Sequence, residues 1–207
     1  ALLTAITGLD ALGHAFECMA SVKCEAIGDA VAHESLRIGA KSFVEAVENG
    51  KESVDARYGM AKCSLLAGLL LGPINTGAGH ALGYGIEKLT FLRGCPVPHG
   101  AAVALVLPGV IRHNIPAVSE KYYYAAGVAG MNLKGKTREL GAAEAGAWIN
   151  DLRCNYTTFS TLEAVGITEE DIPKMVQMAL TVRRLLDPNP VPVDQSVAES
   201  IYRSVLN

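Results

Sequence analysis

Asp10 and His14 stand four residues apart in an apolar stretch. On a helix that spacing puts a carboxylate and an imidazole on one face, about 6 Å apart along the axis. Such a pair can chelate a divalent ion, although an Asp and a His so placed are more often a surface hydrogen-bonded pair. His80 lies within Gly77-Ala78-Gly79-His80-Ala81-Leu82-Gly83, where glycines let backbone and helix approach closely. His99 follows in Pro96-Val97-Pro98-His99-Gly100, a stiff loop that presents its imidazole and ends in glycine. A lone histidine in an apolar neighbourhood is usually a hydrogen-bonded core residue, so each signal is weak by itself. Together, one carboxylate and three imidazoles make a complete ligand set for Fe²⁺ or Zn²⁺. Each also belongs to an apolar segment, where an unpaired polar group is costly.

The elements that must position these side chains are helices. Ala and Gly are abundant, alternating β-branched runs are rare, and apolar positions recur at helical spacing, so the expected fold is all-α. The expected helices cover residues 9–20, starting after Thr7 or Gly8, then 28–49, 53–71 and 79–89. Further helices are expected at 101–111, with a kink at Pro108, and at 119–129, 137–153, 169–186 and 195–206. The second carries an apolar stripe of Leu36, Ala40, Phe43, Val44 and Val47. Thr168, with Asp171 three residues on, reads as a capping box that starts the penultimate helix. Pro73, Asn75 and Gly77 break the chain, and the proline-rich stretch 187–193 is a loop. No repeat and no composition shift marks an internal boundary.

Composition narrows the function. With 207 residues, half of them hydrophobic, the chain can fill a substantial core. Lys and Arg number 18 against 21 Asp and Glu, a formal charge of −3, and no basic stripe is available to neutralise a phosphate backbone, which argues against nucleic acid as a partner. The apolar runs 65–71 and 101–111 fall short of the ~20 residues that span a bilayer, which argues against a membrane partner. The five cysteines form no C-x-x-C pair and are odd in number, suggesting a reducing cytoplasm. Residue 1 is Ala, and neither an initiator Met nor a signal-peptide pattern is present, so the expectation is that another segment precedes it.

The run Thr7-Gly8-Leu9-Asp10-Ala11-Leu12-Gly13-His14-Ala15-Phe16-Glu17, the glycine-flanked His80 and the Pro98-His99-Gly100 corner resemble the iron-containing, group III alcohol dehydrogenase family. The similarity continues through Leu105-Val106-Leu107-Pro108 and the segment from Gly166 to Pro173 to Asn189-Pro190. The resemblance implies that Asp10, His14, His80 and His99 bind one metal ion, Fe²⁺ or Zn²⁺. It implies that the ion activates the oxygen of a small alcohol or aldehyde for hydride transfer to or from NAD(P). It also implies that residues 1–207 form a helical metal-binding domain, that a Rossmann-like nucleotide-binding domain lies outside this chain, and that the protein is a homo-oligomer. The chain alone is then expected to be inactive. Dehydroquinate synthases and glycerol dehydrogenases share the scaffold but lack a ligand at the position of His14, whose presence favours the alcohol dehydrogenase branch. A polyol dehydrogenase, a dehydroquinate synthase-like lyase and a non-catalytic helical metal-binding domain are the alternatives.

One position departs from the family pattern. Many members carry a further histidine, a proton relay, four residues after the glycine-motif ligand, and here that residue is Tyr84. Its hydroxyl can bond the substrate or pass a proton, or its ring can simply pack against the pocket wall. Other residues have plainer readings. Gly77-Ala78-Gly79 with Gly83 approaches a dinucleotide fingerprint, but the third glycine is one place late and no acidic residue ends a second strand. His33 is expected to be a core or interhelix histidine, His113 a helix-end capping residue, and Glu17 a structural residue or a hydrogen-bond partner of a ligand.

Overall fold

The computed structural model describes residues 1–207. Helices follow one another along the whole chain: α1 (Leu2–Ala20), α2 (Ala26–Glu48), α3 (Val54–Leu71), α4 (Ala78–Leu92), α5 (His99–Val128), α6 (Arg138–Tyr156), α7 (Ile172–Leu180), α8 (Arg183–Leu186) and α9 (Gln195–Arg203). There is no strand, as the helical periodicity leads one to expect.

Two hydrophobic clusters share the interior. The first joins α1, α2, α3 and α6 with part of α5, around Leu12, Phe16, Leu36, Phe43, Leu107 and Ile149. The second joins α4, α7 and α9 with another stripe of α5, around Leu82, Ile86, Leu105, Met175 and Tyr202. The first turns of α5 serve both: Ala104 and Leu107 face one cluster while Ala102, Leu105 and Val106 face the other. That explains why 101–111 reads as apolar all round. By length and composition α5 can cross a membrane, contrary to the expectation from its apolar run alone, but most of its apolar window is buried inside the fold.

Four local expectations need correction. Helix α1 begins at Leu2, seven residues before the expected start; Ala5 and Ile6 are buried in the core, and the Thr7 hydroxyl donates to the Leu3 carbonyl at 2.9 Å from within the helix. Tertiary burial overrides the weak helix preference of Thr and Gly there. The two helices expected at 101–111 and 119–129 are both present, abutting within residues 99–128 across a kink that is displaced from its expected place. The non-helical backbone lies at Val118 (φ −133°, ψ 28°), two residues after Pro116, and not at Pro108. The span 169–186 is broken into a 3₁₀ turn, α7 and α8; the Thr168–Asp171 capping box is formed, but Val182 leaves helical geometry at ψ 56°. His113 sits within α5 and caps nothing: its Nε2 donates to the Pro192 carbonyl at 3.0 Å, tying α5 to the loop before α9.

Candidate metal centre

Helices α1, α4 and α5 meet at the seam between the two clusters, and their ligand-bearing residues meet there too. Asp10 and His14 come from α1, His80 from the first turn of α4, and His99 is the first residue of α5. A close approach makes this possible: a Cβ on Gly100 would lie 2.2 Å from the Ile6 carbonyl oxygen and 2.9 Å from Asp10 Cβ, so α5 reaches α1 only through a glycine.

One atom from each of the four side chains lies within 4.8 Å of the others. His80 Nε2 and His99 Nε2 are each 3.5 Å from Asp10 Oδ1, and His14 Nε2 is 3.6 Å from Asp10 Oδ2. These separations are too long for good hydrogen bonds. They are close to the edge, about 3.4 Å, of a tetrahedron of ligands each about 2.1 Å from a central ion. Asp10 Oδ1 and His80 Nε2 are buried with no hydrogen-bond partner. Unsatisfied buried polar atoms are costly, and here they point at one another's neighbourhood, so the donor set fits a divalent cation.

The outer nitrogens of two rings are engaged. His80 Nδ1 is hydrogen-bonded to Glu17 Oε2, and Glu17 Oε1 accepts from the Gly79 backbone N–H. Gly77, the N-cap of α4, gives no side-chain cap; Glu17 and Asn189, whose Oδ1 accepts from the Ala78 N–H at 3.4 Å, cap the helix from elsewhere in the chain. His99 Nδ1 is 2.7 Å from Glu87 Oε1. Glu17 thus fills the supporting place expected of it. Glu87 is a residue that motif reasoning missed, although its position seven after His80 puts it on the same face of α4. Such carboxylate partners fix the imidazole tautomer and leave Nε2 as the ligating atom.

Electrostatics of the metal-free site follow from this crowding. Burial raises the Asp10 carboxyl, but the imidazoles of His80, His14 and His99 outweigh it and leave it below the usual carboxylate range. Burial pushes His14 down. Burial opposes charge on His80 as well, yet the Glu17 and Asp10 carboxylates raise it to about 9. His99 is raised chiefly by its bond to Glu87.

Tyr84 lies one turn beyond His80, and its ring stacks on His99 with centroids 5.5 Å apart and planes at 28°. His33 is an interhelix residue, its ring 4.4 Å from that of Tyr124 across α2 and α5, remote from the ligand cluster.

The chain matches the family profile described as "Fe-containing alcohol dehydrogenase family, C-terminal" over residues 4–206. It is 37% identical to 1,3-propanediol dehydrogenase of Klebsiella pneumoniae over 87% of this chain and 45% of that protein. It is 31% identical to choline dehydrogenase of Bacillus subtilis (strain 168) over 99% of this chain and 49% of that protein. A crystal structure of a 1,3-propanediol oxidoreductase superposes with a TM-score of 0.91 at 34% identity, covering 99% of this chain and 52% of the other. The chain spans about half the length of the curated relatives it matches. Matched by the family profile over nearly its whole length and alike in fold to these proteins, the chain belongs to the iron-containing alcohol dehydrogenase family and corresponds to that family's C-terminal domain.

Proposed function

We propose that this chain is the metal-binding half of an NAD(P)-dependent alcohol dehydrogenase acting on a small alcohol or aldehyde. Asp10, His14, His80 and His99 hold one Fe²⁺ or Zn²⁺, and a nucleotide-binding domain outside this chain supplies the nicotinamide. A cytoplasmic setting suits its five free thiols. The reading rests on one observation above the others: the partnerless, buried Asp10 Oδ1 and His80 Nε2 in the middle of converging imidazoles. The position of His14 Nε2, 3.6 Å from the same carboxylate, favours a four-ligand centre over the three-ligand sites of the related polyol dehydrogenases.

When bound, the ion supplies Lewis acidity to an alcohol or carbonyl oxygen, and the cofactor accepts or donates hydride. The chain's own residues do the rest. Asp10 brings the negative charge that balances part of a divalent cation, while Glu17 and Glu87 hold the two rings with Nε2 inward. Side-chain exposure rises from 4% at His80 to 36% at His99, so the cluster opens on the His99 side and substrate must approach there. Tyr84, beside His99, is then the residue of this chain best placed to bond a substrate oxygen or pass a proton to solvent.

Metal titration tests the reading. The 207-residue chain should bind about one equivalent of Fe²⁺ or Zn²⁺, and His80→Ala should abolish that binding. Wild-type stoichiometry and affinity in His80→Ala would rule out the centre.

A further inference from the structure

His99 is held differently from the other ligands. It is the most exposed of the four and opens its helix directly after Pro98, and both groups that hold its ring come from α4. Glu87 Oε1 lies 2.7 Å from Nδ1, and Tyr84 stacks on the ring face. His80, Tyr84 and Glu87 fall at i, i+4 and i+7 on α4, one stripe of one helix. That helix therefore carries one ligand and both supports of a second. With Nδ1 occupied by a carboxylate, the ring presents Nε2 toward Asp10, 3.5 Å away.

We propose that Glu87 is the positioning residue of His99: it sets the ring's tautomer and aim, and thereby how long the centre keeps its ion. The proposal rests on the metal-centre reading given above. The carboxylate is 26% exposed and lines a cavity of about 400 Å³ with Tyr84, Lys88, Phe91, Pro96 and Val97. Solvent therefore reaches Glu87, and water can replace its side chain without leaving a buried void. A defect in a Glu87 variant should accordingly appear in metal retention and not in folding. Glu87 meets His99 at Nδ1, the ring nitrogen that faces away from Asp10, so it does not bind the ion itself. Its effect has to pass through His99.

The test uses Glu87→Ala, Glu87→Gln and His99→Ala in the 207-residue chain, with Zn²⁺ as the probe. Affinity is read by chelator competition, dissociation by transfer to excess chelator, and the His99 Nδ1–H of the zinc-loaded chain by NMR exchange. Glu87→Ala should bind Zn²⁺ roughly 10- to 100-fold more weakly, mainly through faster dissociation, and its Nδ1–H should exchange rapidly. Glu87→Gln keeps an acceptor oxygen and should recover most of the loss, with unfolding midpoints unchanged in both. If His99→Ala loses affinity while Glu87→Ala matches wild type in affinity and Nδ1–H exchange, the positioning role is overturned and the centre stands. If His99→Ala itself binds Zn²⁺ like wild type, His99 is not a ligand and the inference falls with that part of the centre.

Discussion

The centre contains one arrangement, a carboxylate on the outer nitrogen of a histidine, built in two environments. In the inner copy, Glu17 and His80 have side chains only 2% and 4% exposed, and Glu17 also binds the Gly79 N–H at the start of α4. In the outer copy, Glu87 and His99 are 26% and 36% exposed, and Glu87 caps no helix. A buried ion pair is weak evidence of net stabilisation, but losing one partner leaves a charge that the interior cannot tolerate. An exposed pair contributes at most about 1 kcal/mol and can be broken without consequence for the fold. The inner pair is therefore part of the architecture, whereas the outer one is free to serve function alone.

The sharpest way to break this comparison is to crowd the inner pair without touching its charges. A Cβ on Gly79 would lie 2.8 Å from Glu17 Oε1 and 3.1 Å from its Cδ, so Gly79→Ala must move the carboxylate off both the α4 N-terminus and His80. The expected cost is about 3 kcal/mol of stability, from overpacking and a displaced buried charge, together with a large loss of metal affinity. Denaturant unfolding of the metal-free chain measures it. If Gly79→Ala unfolded at the wild-type midpoint, the inner pair would be no more structural than the outer one.

The inner and outer pairs also differ in how far the sequence discloses them. The four proposed ligands announce themselves because each is a polar residue set in apolar or glycine-rich surroundings, and Glu17 follows His14 by three residues on the same helix. Glu87 gives no such signal: a Glu followed by Lys88 on an amphipathic helix looks like ordinary solvated surface, and only the fold brings His99 to it. The capping box at Thr168 and Asp171 is legible since its chemistry is local. The early start of α1 and the passage of α5 through Pro108 without a kink are not, because Ala5, Ile6 and the turns around Pro108 are helical by virtue of partners far along the chain. Likewise His113 looks like a helix end only if α5 stops near Ile111, and its bond to Pro192 is a tertiary fact.

Acid should sharpen the comparison by a smaller margin. His80 in the metal-free site is raised from 6.5 to about 9, burial opposing and Glu17 and Asp10 favouring the charge. The folded-state value lies above the unfolded one, so this protonation stabilises the metal-free chain fully below about pH 6.5, and that contribution is lost as pH rises through about 9. A metal ion competes with the same proton, since only neutral imidazole ligates. Affinity for Zn²⁺ should therefore rise by about tenfold per pH unit where His80 alone is protonated, more steeply at lower pH where His99 is protonated too, and flatten above about 9, with proton release detectable by calorimetry in buffers of different ionisation enthalpy. Glu17→Gln should shift the bend of this curve downward by removing the charge that raises His80. An identical pH dependence in Glu17→Gln would mean that the inner carboxylate does not control this proton.

The smallest expected effect belongs to Tyr84, which supports the outer pair with its ring and has its hydroxyl to spare. The ring stacks on His99, and the Arg184 guanidinium lies 6.0 Å from its centroid, so the aromatic face is already engaged on the protein side. Removing the hydroxyl alone leaves that packing intact, and Tyr84→Phe should keep wild-type metal affinity and stability. Tyr84→Ala, which also removes the stacking, should loosen His99 and weaken metal binding in the manner of Glu87→Ala. In the proposed two-domain enzyme, Tyr84→Phe should lower kcat by roughly 10-fold, below the range usual for a positioned proton donor because water can reach this open side of the cluster. The measurement is steady-state alcohol oxidation and aldehyde reduction across pH, with metal content checked in each preparation. Unchanged kcat and an unchanged pH profile would leave Tyr84 as a support for His99 only, and the substrate proton would then have to leave through water.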